Sequence, residues 1–252
     1  MCEWVVSCSA TPSRRPGSAL GLGLGVARCP ASVGKRIRVT VDPPDLPDLV
    51  RRQLTQCEHI AELDLDGVLI EHPGIGPLAV DRVRIRESEV HGVALEARTP
   101  VRLTLTDAVL EDCDLSNLDG RGASIRRSEI RQSRLVGFDV REGTIEDLRV
   151  LDSSLVLASF AFADLRNVVF ERVNLNEASF MQARLEGVEF IDCQLAGADL
   201  RGARLKGATI RGASLDGVVG VESLAGLTMP WADVVASTAA LAAALGITVE
   251  SD

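Results

Sequence analysis

Residues able to do chemistry are few in this chain, and their spacing suits no reaction. The cysteines are Cys2, Cys8, Cys29, Cys57, Cys113 and Cys193, and the histidines are His59, His72 and His91. No CxxC pair occurs, and no Cys/His spacing matches a zinc site, whose ligands come in close couples. The run GLGLG at 21–25 lacks the strand before it and the helix after it that a phosphate-cradling loop needs. No nucleophile elbow appears. These residues predict no catalytic site, no metal and no cofactor, and free thiols in a reducing compartment.

Composition narrows the classes further. The formal charge is −9, and of the 27 cationic residues only Lys35 and Lys206 are lysines. An acidic balance argues against direct nucleic-acid binding, where Lys and Arg must neutralise phosphates. Apolar residues make up 46% and aromatic ones only 3%, without a tyrosine, so the core is aliphatic and narrow. No apolar run is long enough to span a membrane. A cytoplasmic protein is expected. The alternative is export, on the arginine pair and apolar run of SRRPGSALGLGLGVARC (13–29), although Pro16 and Arg28 suit such a signal poorly.

The elements that must position any site emerge from an internal period. Every fifth residue from Leu65 to Gly220 is Leu, Ile, Val or Phe, with only Pro100, Gly120 and Gly220 departing. Two residues before each centre stands a second, mostly small position, as in Ala158, Ala163, Ala178, Ala183 and Ala198, and only Arg98 puts a charge there. A helix cannot use this spacing, because five residues turn the side chain by about 140° per repeat and scatter the apolar set. A plain strand alternates with period two, whereas this pattern reads in-out-in-out-out, with one extra residue per unit to turn a corner. Short sides joined by bends coil the backbone, and its N–H and C=O groups must then pair with the coils above and below.

Stretches such as ADLRGARLKGATIRGASLDG (198–217) and VNLNEASFMQARLEG (173–187) resemble the pentapeptide-repeat family. The resemblance covers residues 61–220 and implies an all-β solenoid, a right-handed quadrilateral β-helix of about eight coils with four pentads each. Coil numbers below count blocks of twenty from residue 61. Adding 20 then reads the four faces. The first holds Leu65, Ile85, Leu105 and their successors to Leu205, the second Ile70 to Ile210, and the third Ile75 to Leu215. The fourth reads Val80, Pro100, Gly120, Val140, Phe160, Phe180, Leu200 and Gly220. Pro100 and Arg98 together predict an outward turn at 96–102, since proline removes a ladder donor and arginine resists burial. Cys113 and Cys193 fall inward, four coils apart or about 19 Å, too far to bridge. His72 and His91 fall outward on one face, where a surface metal is conceivable but lacks a carboxylate-rich pocket.

A solenoid must cover its end coils, and both flanks are expected to supply short α-helical caps. Residues 1–36 form a Pro/Gly/Ser/Arg-rich extension, expected to be disordered. The N-terminal cap is placed at 37–60, with Leu46, Leu49, Val50 and Leu54 on one helical face. The segment 221–252 supplies a C-terminal helix opened by Pro230 and closed by Gly246. Its Trp231, Val234, Val235, Leu241 and Leu245 are candidates either to cover the last coil or to form a homodimer contact, the use the resemblance implies for a C-terminal helix.

The resemblance also implies a functional alternative, since some members act on DNA gyrase by presenting an acidic rod in place of duplex DNA. Charge along this rod is banded: Arg121, Arg126, Arg127, Arg131 and Arg134 make the fourth coil basic, and Arg201, Arg204, Lys206 and Arg211 the eighth. Only the face carrying Glu71, Glu89, Glu111, Asp112, Glu189 and Asp192 stays mainly acidic, and cationic bands within a Debye length weaken the field a mimic needs. A different feature stands out between Ser153 and Ala163, where no charge occurs. Val136 and Val156 stack outward, Leu157 and Phe162 follow at corners, and Met181 lies one coil above Ala161. An exposed apolar patch marks a contact surface. The sequence is therefore read as a non-catalytic protein-interaction scaffold of unspecified partner, with topoisomerase binding as the alternative.

Overall fold

The computed structural model describes residues 39–54, 60–71, 76–96, 100–213, 215–244 and 246–247. Eight strands come first: β1 Val50–Arg52, β2 Ile60–Asp66, β3 Val68–Glu71, β4 Leu78–His91, β5 Leu95–Glu96, β6 Arg102–Glu111, β7 Ser124–Arg131 and β8 Thr144–Leu151. Five three-residue strands follow, β9 to β13, at Asp164–Arg166, Val169–Glu171, Arg184–Glu186, Glu189–Ile191 and Thr209–Arg211. Every pairing between these strands is parallel. Partners stand twenty residues apart through most of the rod: Leu105 lies opposite Ile125, Ile125 opposite Ile145, Ile145 opposite Leu165 and Leu165 opposite Leu185. The five-residue count therefore becomes a parallel β-solenoid of stacked square coils.

The first and second faces are built mainly from strands, and the third and fourth from hydrogen-bonded turns such as Leu118 N–H to Leu115 C=O (3.2 Å) and Ala163 N–H to Phe160 C=O (3.1 Å). Pentad centres and the small residues two before them fill the interior, with Leu165, Phe170, Leu175, Phe180 and Leu185 fully buried. Serine is tolerated inside because its hydroxyl bridges coils: Ser133 Oγ accepts the Cys113 N–H (3.1 Å) and donates to the Arg131 carbonyl (2.7 Å). Cys113 and Cys193 occupy the same kind of seat, and burial pushes both thiols up to about 11, which leaves them inert fillers.

Four phenylalanines that the sequence assigns to two different faces meet in the interior. Phe160 stacks on Phe180 at 5.0 Å and Phe170 on Phe190 at 5.3 Å, while rings from the two pairs meet edge to face at 5.7 to 6.4 Å. Offset-stacked and T-shaped arrangements are those the ring quadrupole favours.

The register departs from strict count at two places in the N-terminal coils. Leu78 pairs with Leu95, seventeen residues on, whereas Glu71 pairs with His91 and Arg82 with Arg102. Leu78, fully buried, thus takes the seat that counting assigns to Ile75, which lies outside the described residues. Between Glu96 and Arg102 the second coil carries three residues more than the first carries between Ala79 and Arg82, in keeping with an outward excursion near Pro100. Pro100 is exposed and Val101 is buried, so Val101 supplies the centre of the fourth face. Arg98 lies outside the described residues.

The N-terminal cap is not a helix. Pro43, Pro44 and Pro47 disfavour helical backbone at the residues before them, and residues 39–49 run without a strand until β1. β1 pairs with β3, Val50 opposite Val68, and so covers an open edge of the first coil, while Leu54 alone of the four expected residues is fully buried. Upstream, the chain crosses the rod lengthwise. Val39 N–H donates to Glu189 Oε1 at 2.8 Å and Asp45 N–H to Asp107 Oδ1 at 3.1 Å. Those acceptors lie four coils apart, about 19 Å at strand spacing, and six residues span that distance only when nearly extended. Residues 39–49 are thus a strap over the second face. The extension at 1–36 lies outside the described residues.

At the other end, two short helices replace the one expected: α1 Trp231–Ala236 and α2 Thr238–Ala244. The break falls at Ser237, which is fully buried because its hydroxyl turns inward to accept the Leu215 N–H at 3.2 Å. Asp233 Oδ2 accepts the Gly212 N–H at 2.8 Å and Ser223 Oγ the Gly202 N–H at 2.9 Å. Thr228 C=O takes the Ile210 N–H at 3.0 Å. The last coil has no further coil to receive these donors, and the cap supplies acceptors instead.

Candidate interaction faces

The exterior of the rod is mostly laced with ion pairs. On the fourth face, Asp119 pairs with Arg121 (2.9 Å), Asp139 with Arg141 (2.6 Å) and Asp199 with Arg201 (2.7 Å), each joining the residues that flank one pentad centre. The Arg121 and Arg201 guanidiniums hold the carboxyls of Asp119 and Asp199 below their ordinary range. Between these clips two consecutive coils carry Ser159 with Ala161 and Ser179 with Met181 in the same seats. A neutral window two coils tall results, backed inside by the stacked rings of Phe160 and Phe180.

Leu157 and Phe162 frame that window at its two corners, 55% and 49% exposed. Both have positive φ, 61° and 62°, as the third residue of a hydrogen-bonded turn, where Gly or Asn is favoured. In their columns the neighbouring coils obey the rule with Gly137 and Gly197 or with polar residues such as Glu142 and Gln182. All other non-glycine residues of positive φ among the described residues are polar or charged. Bulky side chains in left-handed backbone cost roughly 1–2 kcal/mol each, and strain of this kind concentrates where function holds it. Val136, Val156 and Met181 are half-buried around the same window. Val136 and Val156 flank centres of the third face, Leu157 lies at the corner between the third and fourth faces, and Phe162 and Met181 follow the fourth-face centres Phe160 and Phe180.

The end residues separate into two groups. Trp231 (79% exposed) and Val235 (54%), one helical turn apart on α1, point to solvent, as does Ile247. Val234 is partly buried, and Leu241 packs on the core. Leu245 lies outside the described residues.

The second face differs from both. Beneath the strap lies a slot of about 710 Å³, lined by residues 39–44 and by Ser128, Glu129, Arg149, Glu171, Glu189 and Arg211 among others. Repeat counting missed this slot, because Glu189 reads there as one more outward residue. The cluster of prolines at 43, 44 and 47 was the available signal. Lower on the same face, His91 lies 3.1 Å from Glu89 and 3.3 Å from Glu111, a group with metal-ligand spacing. Arg131 Nη2 stands 3.7 Å from both carboxylates and already supplies the positive charge. His72 lies outside the described residues, and among those described no helix is long and apolar enough to cross a membrane.

A family comparison agrees with the five-residue repeat. The family model described as pentapeptide repeats matches in eight copies over residues 105–141, 153–190 and 189–219. Among solved structures, the chain is similar to full-length QnrB1, described as a plasmid-mediated fluoroquinolone resistance protein. That likeness is 19% identity over 72% of this chain and 94% of the other, at a TM-score of 0.39. It is also similar to HetL, a pentapeptide repeat protein involved in heterocyst differentiation regulation from the cyanobacterium Nostoc, at 19% identity over 67% and 90% and a TM-score of 0.26. None of the curated proteins compared with the chain matches it.

Proposed function

Over residues 105–219 the chain belongs to the pentapeptide-repeat family, and from that premise we propose that it is a non-catalytic protein-interaction scaffold whose contact surface is the neutral window of the fourth face. The observation that carries this reading is the pair Leu157 and Phe162, exposed apolar side chains kept in left-handed backbone where neighbouring coils place glycine or polar residues. A packing role cannot account for them, since neither is buried. A filled rod offers no enclosed cleft for chemistry on this side.

The outer stripe of Trp231 and Val235 supports a second contact of the same kind, between copies of the chain. The DNA-mimic reading finds less support. Most of the described cationic groups lie against carboxylates of their own or adjacent coils, as in Arg86 with Asp66 (2.9 Å) and Lys206 with Glu186 (2.5 Å), and paired charges of this kind weaken the continuous anionic field a mimic needs.

Affinity purification from host cells with the full chain tests the reading. A partner retained by the wild type and lost with Phe162→Asp is the expected result, and an unchanged profile refutes the window. In the same experiment two differently tagged copies are expected to co-purify, and Trp231→Asp to abolish that.

A further inference from the structure

We propose that the partner of the neutral window is a protein surface carrying lysine or arginine beside its apolar side chains, and that Glu142 and Glu177 select those cations. The inference rests on the window as a contact surface and adds the chemistry of what docks there.

Each exposed apolar side chain of the window has a carboxylate one coil away, and the two carboxylates lie at opposite ends. The Leu157 N–H donates to the Asn176 carbonyl at 3.0 Å, which places Glu177 in the coil just above Leu157. The Glu142 N–H donates to the Ala161 carbonyl at 3.0 Å, which places Glu142 in the coil just below Phe162. Coils repeat at roughly 4.8 Å, so each carboxylate stands on the rim of the apolar centre. Both glutamates are exposed. Both are corner residues of positive φ, 61° for Glu142 and 57° for Glu177, in the columns of Phe162 and Leu157.

The charges that flank the window along the fourth face are closed on themselves. Arg141 is bound to Asp139 and Arg201 to Asp199, and Arg121, which feels the charge of Glu142, is bound to Asp119. Neither Glu142 nor Glu177 has an ion-pair partner among the described residues. The runs 153–163 and 173–183, which form the third and fourth faces of two successive coils, contain no Lys or Arg and one charged residue, Glu177. Exposed carboxylates are ordinary in water, and it is their apolar neighbours that make these two selective. A partner that buries Leu157 and Phe162 also strips water from the carboxylate one coil away, and an ionised group losing its water is costly unless a cation replaces it. A neutral partner leaves that cost standing, an acidic one adds repulsion, and Lys or Arg removes it. Their side chains suit the place, since the apolar stem covers Leu157 or Phe162 while the charged head reaches the carboxylate.

The test pans a random linear peptide library displayed on phage against the immobilised full chain and, in parallel, against its Leu157→Asn/Phe162→Asn variant, which removes both apolar side chains without adding charge. Asparagine suits both corners, as Asn117 shows in the Leu157 column with φ of 57°. Peptides held by the wild type and not by this variant depend on the window, and they are expected to be enriched in Lys or Arg next to aliphatic or aromatic residues. Synthesised and titrated by fluorescence anisotropy, they are expected to bind Glu142→Gln/Glu177→Gln at least about tenfold more weakly than the wild type, with a wild-type affinity that falls as salt rises. Glutamine is accommodated at these corners, as at Gln182 with φ of 54°, so thermal melts of that variant are expected to match the wild type. Panning on Glu142→Lys/Glu177→Lys is expected to enrich Asp and Glu instead. Window-dependent peptides that lack cations, or that bind the glutamine variant as well as the wild type, overturn the proposal and leave the window standing. The absence of any window-dependent peptide overturns the window and the proposal with it.

Discussion

The second and fourth faces are built from the same pentads, yet they treat outward apolar residues in opposite ways. Val169 points away from the interior of the second face and is only 7% exposed, because it lies in the slot under the strap. Leu157 and Phe162, at the corners of the fourth face, stand about half exposed with nothing over them among the described residues. On the second face the burial of the outward Val169 is set by a non-repeat segment, the strap. One rod thus presents both a covered face and a bare one.

The largest effect expected bears on whether the two faces share one core. Phe180 backs the bare window and meets Phe170, which backs the covered face, edge to face at 6.4 Å. Phe180→Ala should cost about 3–5 kcal/mol in denaturant unfolding and lower the protection of strap and window amides together. Loss confined to the window would mean that the faces are independent.

A smaller effect separates the covered face by pH. The folded pKa of Asp107 is lowered by Arg127 and the Asp45 N–H, so its contribution is present above the unfolded value near 4 and lost as pH falls through the folded value. Asp107→Asn should therefore cost on the order of 1 kcal/mol at neutral pH, with the gap to wild type closing in strong acid. Thermal melts across that range check it, and a gap that persists in acid would show that the ion pair is not what anchors the strap.

The smallest effect has the opposite sign. Leu157→Asn relieves left-handed strain on an exposed side chain and should raise stability by up to about 1 kcal/mol, with no change at the strap. A loss of stability instead would show that Leu157 packs against the rod and does not serve a partner.

How far the sequence reaches is visible in single residues. Counting fives seats Leu105, Ile125, Ile145 and Leu165 in their column without error, because each seat depends only on its own pentad and the coil next to it. The same count seats Ile75 where Leu78 stands and Pro100 where Val101 stands, since a change of coil length shifts the phase; Pro100 and Arg98 mark the second place, and counting fives passes over the first unmarked. It places Val136 and Val156 beside centres of the third face, Leu157 at the corner between the third and fourth faces, and Phe162 and Met181 after centres of the fourth. It does not show that Leu157 and Phe162 occupy turn positions of positive φ, although the glycines in their columns were a signal.

The period, the inside and outside of the coils from Val101 onward and the absence of charge from Ser153 to Ala163 are determined by the sequence alone, because a five-residue repeat can bury its apolar set only by coiling. Tertiary structure alone decided the ends. The bond from Val39 to Glu189 joins residues 150 apart in the chain, and Ser237 leaves its helix to satisfy a donor of the last coil. Such contacts belong to no repeat: they arise where the stack stops or is crossed, and unpaired donors and acceptors of the finished rod select what covers them.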